Sequence, residues 1–149
     1  MKLEEEIQQK KFKTESHKAA LNIIYTFNWI NSHHGTFLKK FGLTYQQFNV
    51  LRILRGQCPN VATVKLIRER MLDRMSDASR IVEKLRLKGL VGREIDQDDR
   101  RACQVSISEK GLALLSEIDK EESSLELPFQ TLTKEEVQQL NLLLDKLRG

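Results

Sequence analysis

The segment from 63 to 108 constrains this chain most, because its apolar residues change from a helical spacing to a strand spacing within a short distance. Two blocks with helical spacing, around 67–71 and 78–85, are separated by a polar break rich in capping residues. After Gly89, apolar and polar residues alternate at 91–95 and again at 103–107, with the charged run QDDRR between them. The pattern predicts helix, turn, helix and hairpin in that order, which is the plan of a winged helix-turn-helix.

The segments on either side of this region are predicted to be helical. A helix is expected from about 15 to 34, ended by His33, His34 and Gly35, and a short second helix is expected to begin at Phe37. Thr44 with Gln47 forms a capping box for the next helix, and 56–62 is expected to be a loop before the cap at Thr63. Ser108 is expected to begin a long helix that reaches about Leu125, and Thr133 with Glu136 begins a last one.

The apolar face of the first long helix is wider than one small core needs. Ile23, Ile24, Phe27 and Ile30 lie on one side, and Trp29 extends the stripe. The width favours a subunit interface, while burial within one chain is the alternative. The predicted fold is therefore mainly α, a winged helix-turn-helix with a helical dimerisation platform. The predicted platform comprises residues 1–42 and 109–149, and the predicted winged helix-turn-helix region comprises residues 43–108.

Charge is unevenly distributed along the 149 residues. Basic residues exceed acidic ones by five between 50 and 104, whereas acidic residues exceed basic ones by four from 105 to 149. A basic middle suits an anionic partner such as nucleic acid, although an ordinary solvated face gives similar counts. No apolar run approaches the roughly 20 residues of a membrane span, and the N-terminus is too charged for a secretory signal. We therefore expect a cytoplasmic protein without a membrane partner.

Several stretches resemble the MarR family of bacterial transcription regulators. They are SRIVEKLRLKGLV at 79–91, DQDDRR at 96–101, SISEKG at 106–111 and LTYQQFNVLRIL at 43–54. The resemblance implies a homodimer that binds a pseudo-palindromic DNA duplex and acts as a repressor released by a small aromatic or anionic effector. A winged-helix module that binds protein without reading DNA is the alternative; such a module would not need a charged wing or a polar start to the second helix.

The start of the second helix carries the residues expected to bind DNA. A recognition helix places its N-terminal end in the major groove, where short polar side chains reach base edges and phosphates. Ser76, Ser79 and Arg80 meet this need, with Arg74 and Lys84 as contacts to the DNA backbone. Asp77 could accept a hydrogen bond from cytosine, but the charge preference of a helix N-terminus is the favoured explanation.

For the wing, the expectation rests on the family resemblance. It implies that Asp99 holds Arg101, that Arg101 enters a minor groove, and that Arg93 and Arg100 contact flanking phosphates. Solvation at a hairpin tip is the alternative for any single arginine. The resemblance also implies an effector pocket lined by Trp29, Ile30, His33, Phe37, Phe48 and Arg52, for which ordinary core packing is the alternative.

Nothing in the sequence indicates an enzyme, a cofactor or a metal site. The sequence contains no GxGxxG, GxxxxGK[ST], HExxH or GxSxG motif, and the adjacent Asp98 and Asp99 resemble ion-pair partners rather than an acid and a base. Cys58 and Cys103 lack the spacing of metal ligands and are expected to be ordinary reduced thiols. An enzyme is therefore disfavoured.

Overall fold

The computed structural model describes residues 1–95 and 103–149, which form a mainly helical chain with a small sheet. The helices are α1 (Leu3–Glu6), α2 (Glu15–Lys39), α3 (Tyr45–Gln57), α4 (Val64–Arg70), α5 (Ala78–Leu87), α6 (Glu109–Asp119), α7 (Ser123–Glu126) and α8 (Lys134–Arg148). A 3-10 turn covers Leu127–Phe129, and the strands are β1 (Ala62–Thr63), β2 (Val91–Ile95) and β3 (Cys103–Ile107).

The contacts divide the chain into two compact units. A central unit comprises Phe37–Ser124, and a terminal unit comprises Met1–Thr36 with Leu125–Gly149. The central unit holds the helix-turn-helix and the hairpin, and the terminal unit holds residues from both ends of the chain. The functional boundaries at 42 and 108 stay a prediction.

The central unit is built on an antiparallel sheet in the order β1-β3-β2. Val91 pairs with Ile107 and Ile95 with Cys103, which confirms the predicted hairpin. Ala62 pairs with Val105, so the end of the predicted 56–62 loop is in fact a short strand. The pairing has a packing reason, since Ala62 and Val105 are both fully buried and the strand brings them together.

Helix starts follow the local sequence closely. The hydroxyls of Thr44, Thr63, Ser108 and Thr133 each accept a backbone N–H three residues on, and Thr44 and Thr133 complete full capping boxes. Gly89 has a φ of +71°, which suits the expected end of α5. At Gly111 a side chain would collide with the carbonyl of Leu90, so this glycine lets α6 begin directly against the end of α5.

Two predicted helix ends were wrong. Helix α2 continues through His33, His34 and Gly35 to Lys39, because one glycine costs a helix only about 1 kcal/mol while Phe37 and Leu38 are buried by staying in it. Helix α6 stops at Asp119 instead of reaching Leu125, which lies in the separate helix α7. Ile118 is the last buried residue of α6, and the exposed residues 119–123 that follow offer no apolar face to extend it.

The terminal unit leaves much of its apolar surface in water. Leu3 is the one buried apolar side chain among its described residues. An ion pair between Glu4 and Lys18 and a hydrogen bond from the Tyr25 hydroxyl to Glu6 tie α1 to α2. Phe27 is 61% exposed and Leu142 70% exposed. Other large apolar side chains on the same helices are exposed as well: Ile23, Ile24, Leu143 and Leu147. In the described ranges no helix is both long and apolar enough to traverse a bilayer.

Candidate nucleic-acid interface

Helix α5 separates a buried face from an exposed polar face. Ala78, Val82 and Leu85 are buried and recur at helical spacing, and the helix packs against α3 and α4. Ser79, Arg80 and Lys84 are exposed on the remaining surface. The packing therefore fixes the orientation of α5 and turns its predicted DNA-binding side chains toward solvent.

The turn between α4 and α5 is organised by one carboxylate. Asp73 accepts the N–H of Met75 at 3.0 Å and the hydroxyl of Ser76 at 2.6 Å. The hydrogen bond from Ser76 is the main reason that the pKa of Asp73 lies below its ordinary value, and the Met75 N–H adds to the effect. The sequence analysis missed this role of Asp73, although an Asp two residues before a backbone donor is a known turn signal.

Asp77 is the N-cap of α5. Its side chain accepts the backbone N–H of Arg80 at 3.1 Å, which engages the carboxylate within the protein. This geometry agrees with the alternative of a helix N-terminal charge; a base contact by Asp77 stays a prediction. Arg74, in the turn just before, is exposed.

An open groove of about 360 Å³ lies beside the start of α5. It is lined from α5 and the preceding turn by Ser76, Asp77, Arg80, Ile81 and Lys84, and from the start of α3 by Thr44, Gln46 and Gln47. The fold thus brings together four of the predicted DNA-binding residues at one site: Ser76, Asp77, Arg80 and Lys84. Gln46 joins them only through tertiary packing, and the sequence analysis did not identify it.

The wing is joined to α5 through Glu83. This carboxylate accepts two hydrogen bonds from Arg86, at 3.0 and 2.8 Å, and lies 3.7 Å from the guanidinium of Arg93 on β2. The hydrogen bonds from Arg86 hold the pKa of Glu83 below its usual range and raise the pKa of Arg86. Arg93 also donates to the sulfur of Cys103 across the hairpin at 2.7 Å.

Arg93 therefore reaches the surface with its guanidinium held from two sides, which suits its predicted contact with a phosphate. Glu83 was not among the predicted residues. Its spacing to Arg86 is visible in the sequence, but its approach to Arg93 depends on the fold. The remaining predicted wing residues, Asp99, Arg100 and Arg101, lie outside the described residues.

The predicted effector residues fall in both units. Trp29 in the terminal unit lines a cavity of about 500 Å³ with Tyr25, Asn22 and Leu127 among its neighbours, and Ile30 and His33 in the same unit are half-buried. In the central unit, Phe37 is buried, and Arg52 lies over the ring of Phe48 at 5.8 Å beside a depression of about 220 Å³. A single pocket formed by all six residues stays a prediction.

The arrangement of α4, α5 and the β2–β3 hairpin defines a winged helix-turn-helix protein of the DNA-binding class. The MarR family profile matches residues 41–102. The HTH-type transcriptional regulator MgrA of Staphylococcus aureus is 31% identical over 108 residues, a match that covers 72% of this chain and 71% of MgrA. The chain belongs to the MarR family of transcription regulators.

Solved structures share the fold along most of the chain. The organohalide-sensing transcriptional regulator RdhR in its 2,4-dichlorophenol-bound form has a TM-score of 0.82 and 21% identity, covering 94% of this chain and 85% of its own. A mutant MarR from E. coli complexed with operator DNA has a TM-score of 0.79 and 21% identity, covering 94% of this chain and 100% of its own. At this level of identity the likeness concerns the fold.

Proposed function

We propose that this protein is a homodimeric repressor that reads a pseudo-palindromic DNA site with α5 and is released by a small-molecule effector. The observation that carries the proposal is the grouping of Arg80, Lys84 and Ser76 at one exposed groove beside the N-terminal end of α5. The two cations match the phosphates and base-edge acceptors of a major groove, and the hydroxyl oxygen of Ser76, which donates its proton to Asp73, can accept a hydrogen bond from a base. The operator complex of the related E. coli MarR supports duplex DNA as the ligand.

The wing supplies the second contact in this proposal. Arg93, held by Glu83, is assigned to a phosphate, and Arg100 to another. Arg101 is assigned to the minor groove with Asp99 as its orienting partner, because a narrow minor groove concentrates negative potential that attracts a guanidinium. These assignments follow the family resemblance of the 96–101 run.

Dimerisation is supported by the uncovered apolar faces of the terminal unit. Phe27 on α2 and Leu142 on α8 are mostly in water, together with several apolar neighbours on the same helices. A second copy of the same faces would remove this surface from water in a two-fold arrangement. Two recognition helices would then reach half-sites about one helical turn apart. Sedimentation at micromolar concentration should give a dimer, and a monomer near 17.3 kDa would contradict the proposal.

For the effector, the proposal is a small aromatic or anionic molecule. The dichlorophenol-bound form of RdhR, a regulator of the same fold, supports an aromatic ligand. Trp29, Ile30, His33 and Phe37, with Phe48 and Arg52, are the residues assigned to it. Arg52, whose guanidinium lies over the ring of Phe48, combines a cation with an aromatic surface, which suits an ionised phenol or an aromatic acid.

Selection of bound fragments from a random-sequence duplex library tests the central proposal. We expect recovery of a two-fold-related sequence that binds far more tightly than random DNA at the same salt concentration. Lys134→Ala, which removes a cation at the start of α8, serves as a matched control for Arg80→Ala in the same assay. Binding without any sequence preference would overturn the proposed function.

A further inference from the structure

Met75 presents an apolar side chain to water at the point where α5 begins. It is 94% exposed, more than any other large apolar side chain in the described part of the chain. A residue of this size is usually covered at least in part, because apolar surface is unfavourable in water. The thioether of Met75 is therefore available for contact with another surface.

The backbone around Met75 is held in place. Its N–H is bonded to Asp73, and the next residue, Ser76, is bonded to the same carboxylate through its hydroxyl. Asp77 follows directly as the N-cap of α5. The turn thus holds Met75 at the end of α5 that is assigned to the major groove.

The charges around Met75 select the kind of surface that covers it. Arg74 is its neighbour in the chain and Arg80 is exposed in the first turn of α5, whereas the carboxylates of Asp73 and Asp77 are engaged by hydrogen bonds within the turn and the helix cap. Cations on this end of the helix favour a polyanion. Within the major groove of DNA, the 5-methyl group of thymine is the apolar group that base edges present.

We propose that Met75 reads thymine by packing against its 5-methyl group in the major groove. The unbranched, polarisable thioether adapts its shape to such a contact without a hydrogen bond. The inference rests on the proposed function and adds a specificity-determining residue to it. Arg80 reads hydrogen-bonding groups in this arrangement, and Met75 reads the methyl group beside them.

The test uses the duplex that the wild-type protein selects from the random library, with individual thymidines replaced by deoxyuridine. Met75→Ala should weaken binding to the selected duplex by roughly four- to fifteenfold, the size expected for losing the burial of one or two methyl groups. One deoxyuridine position in each half-site should cause a similar loss. The two changes combined should cost no more than either alone, because they remove the same contact.

Substitutions with matched size separate apolar packing from other effects. Met75→Leu should retain most of the affinity, whereas Met75→Gln, of similar length but polar, should lose it. Leu87→Ala removes an exposed apolar side chain at the opposite end of the same helix and should leave affinity unchanged.

Unchanged binding by Met75→Ala would overturn the inference. It would also be overturned if every deoxyuridine replacement weakened binding of the Met75→Ala variant as much as it weakens binding of the wild-type protein. If the wild-type protein selects no duplex at all, the proposed function fails and this inference fails with it. Sequence-specific binding by the wild type together with an unaffected Met75→Ala variant overturns the inference alone.

Discussion

The ammonium group of Lys88, at the end of α5, donates a hydrogen bond to the side-chain oxygen of Gln47 in the first turn of α3 at 3.1 Å. That oxygen also accepts the backbone N–H of Thr44 at 3.1 Å, and Lys88 donates to the carbonyl of Gly42. Gln47 is only 5% exposed and is the one buried polar side chain among the described residues. The contact therefore joins the capping box of α3 to the end of the recognition helix.

Loss of this contact should destabilise the central unit. Lys88→Met removes the cation but keeps the length of the apolar stem, and Gln47 then loses one of its partners while remaining buried. We expect the free energy of unfolding, measured with urea, to fall by about 1 kcal/mol. Lys84→Met, on the exposed face of α5, is the matched control and should leave stability unchanged. Equal stability of both variants would mean that the Lys88 contact contributes nothing.

Arg80 and Lys84 should differ in what they recognise. Arg80→Ala should cost roughly 1–3 kcal/mol on the selected DNA site and much less on random DNA, because a bidentate contact with a base edge is lost. Lys84→Ala should weaken both kinds of DNA and reduce the salt slope by about one, as expected for one phosphate contact. Fluorescence anisotropy at several salt concentrations measures both. An equal loss of affinity for the selected site and for random DNA in Arg80→Ala would mean that Arg80 contacts the DNA backbone and not a base.

Substitutions at the wing should show whether Asp99 strengthens or weakens DNA binding. Arg101→Ala should weaken binding to specific and random DNA alike and reduce the salt slope by about one. Asp99→Ala should produce a milder form of the same defect, even though it removes a negative charge near DNA. Binding titrations with both variants decide the matter: tighter binding by Asp99→Ala would mean that this carboxylate repels DNA and does not orient Arg101.

Glu83 should make stability depend on pH. Because Arg86 lowers its pKa in the folded state, ionised Glu83 stabilises the fold at neutral pH, and this contribution is lost as pH falls from the ordinary carboxyl range through the lowered value. Glu83→Gln should therefore lower the melting temperature at neutral pH and have less effect in acid. The effect should be small, since water screens this exposed pair. Glu122→Gln, in the loop after α6, is the control. Its small effect on the melting temperature should be the same at every pH.

Much of the helical framework could be predicted from the sequence. Thr44, Thr63, Ser108 and Thr133 were identified as helix caps, and each one accepts the expected hydrogen bond three residues on. The hairpin and the two helices before it were also predicted. Such features depend on interactions between residues a few positions apart, so their pattern can be read directly along the chain.

Helix ends without a strong local signal were harder to predict. Gly35 looked like the end of a helix, yet the burial of Phe37 and Leu38 continues α2 to Lys39. The sequence places Ala62 at the end of a loop, but Ala62 pairs with Val105 as part of a third strand. In both cases packing with distant residues outweighed a weak local preference.

The sequence by itself determined which side chains stand at the start of the recognition helix, because the polar turn, the cap at Asp77 and the apolar spacing of Ala78, Val82 and Leu85 are local. Only the tertiary structure decided how that helix is held. Lys88 meets Gln47 across 41 positions of the chain, and Glu83 on α5 meets Arg93 on the wing. Contacts of this kind have no period or motif, since they exist only after burial of the apolar faces has brought separate elements together.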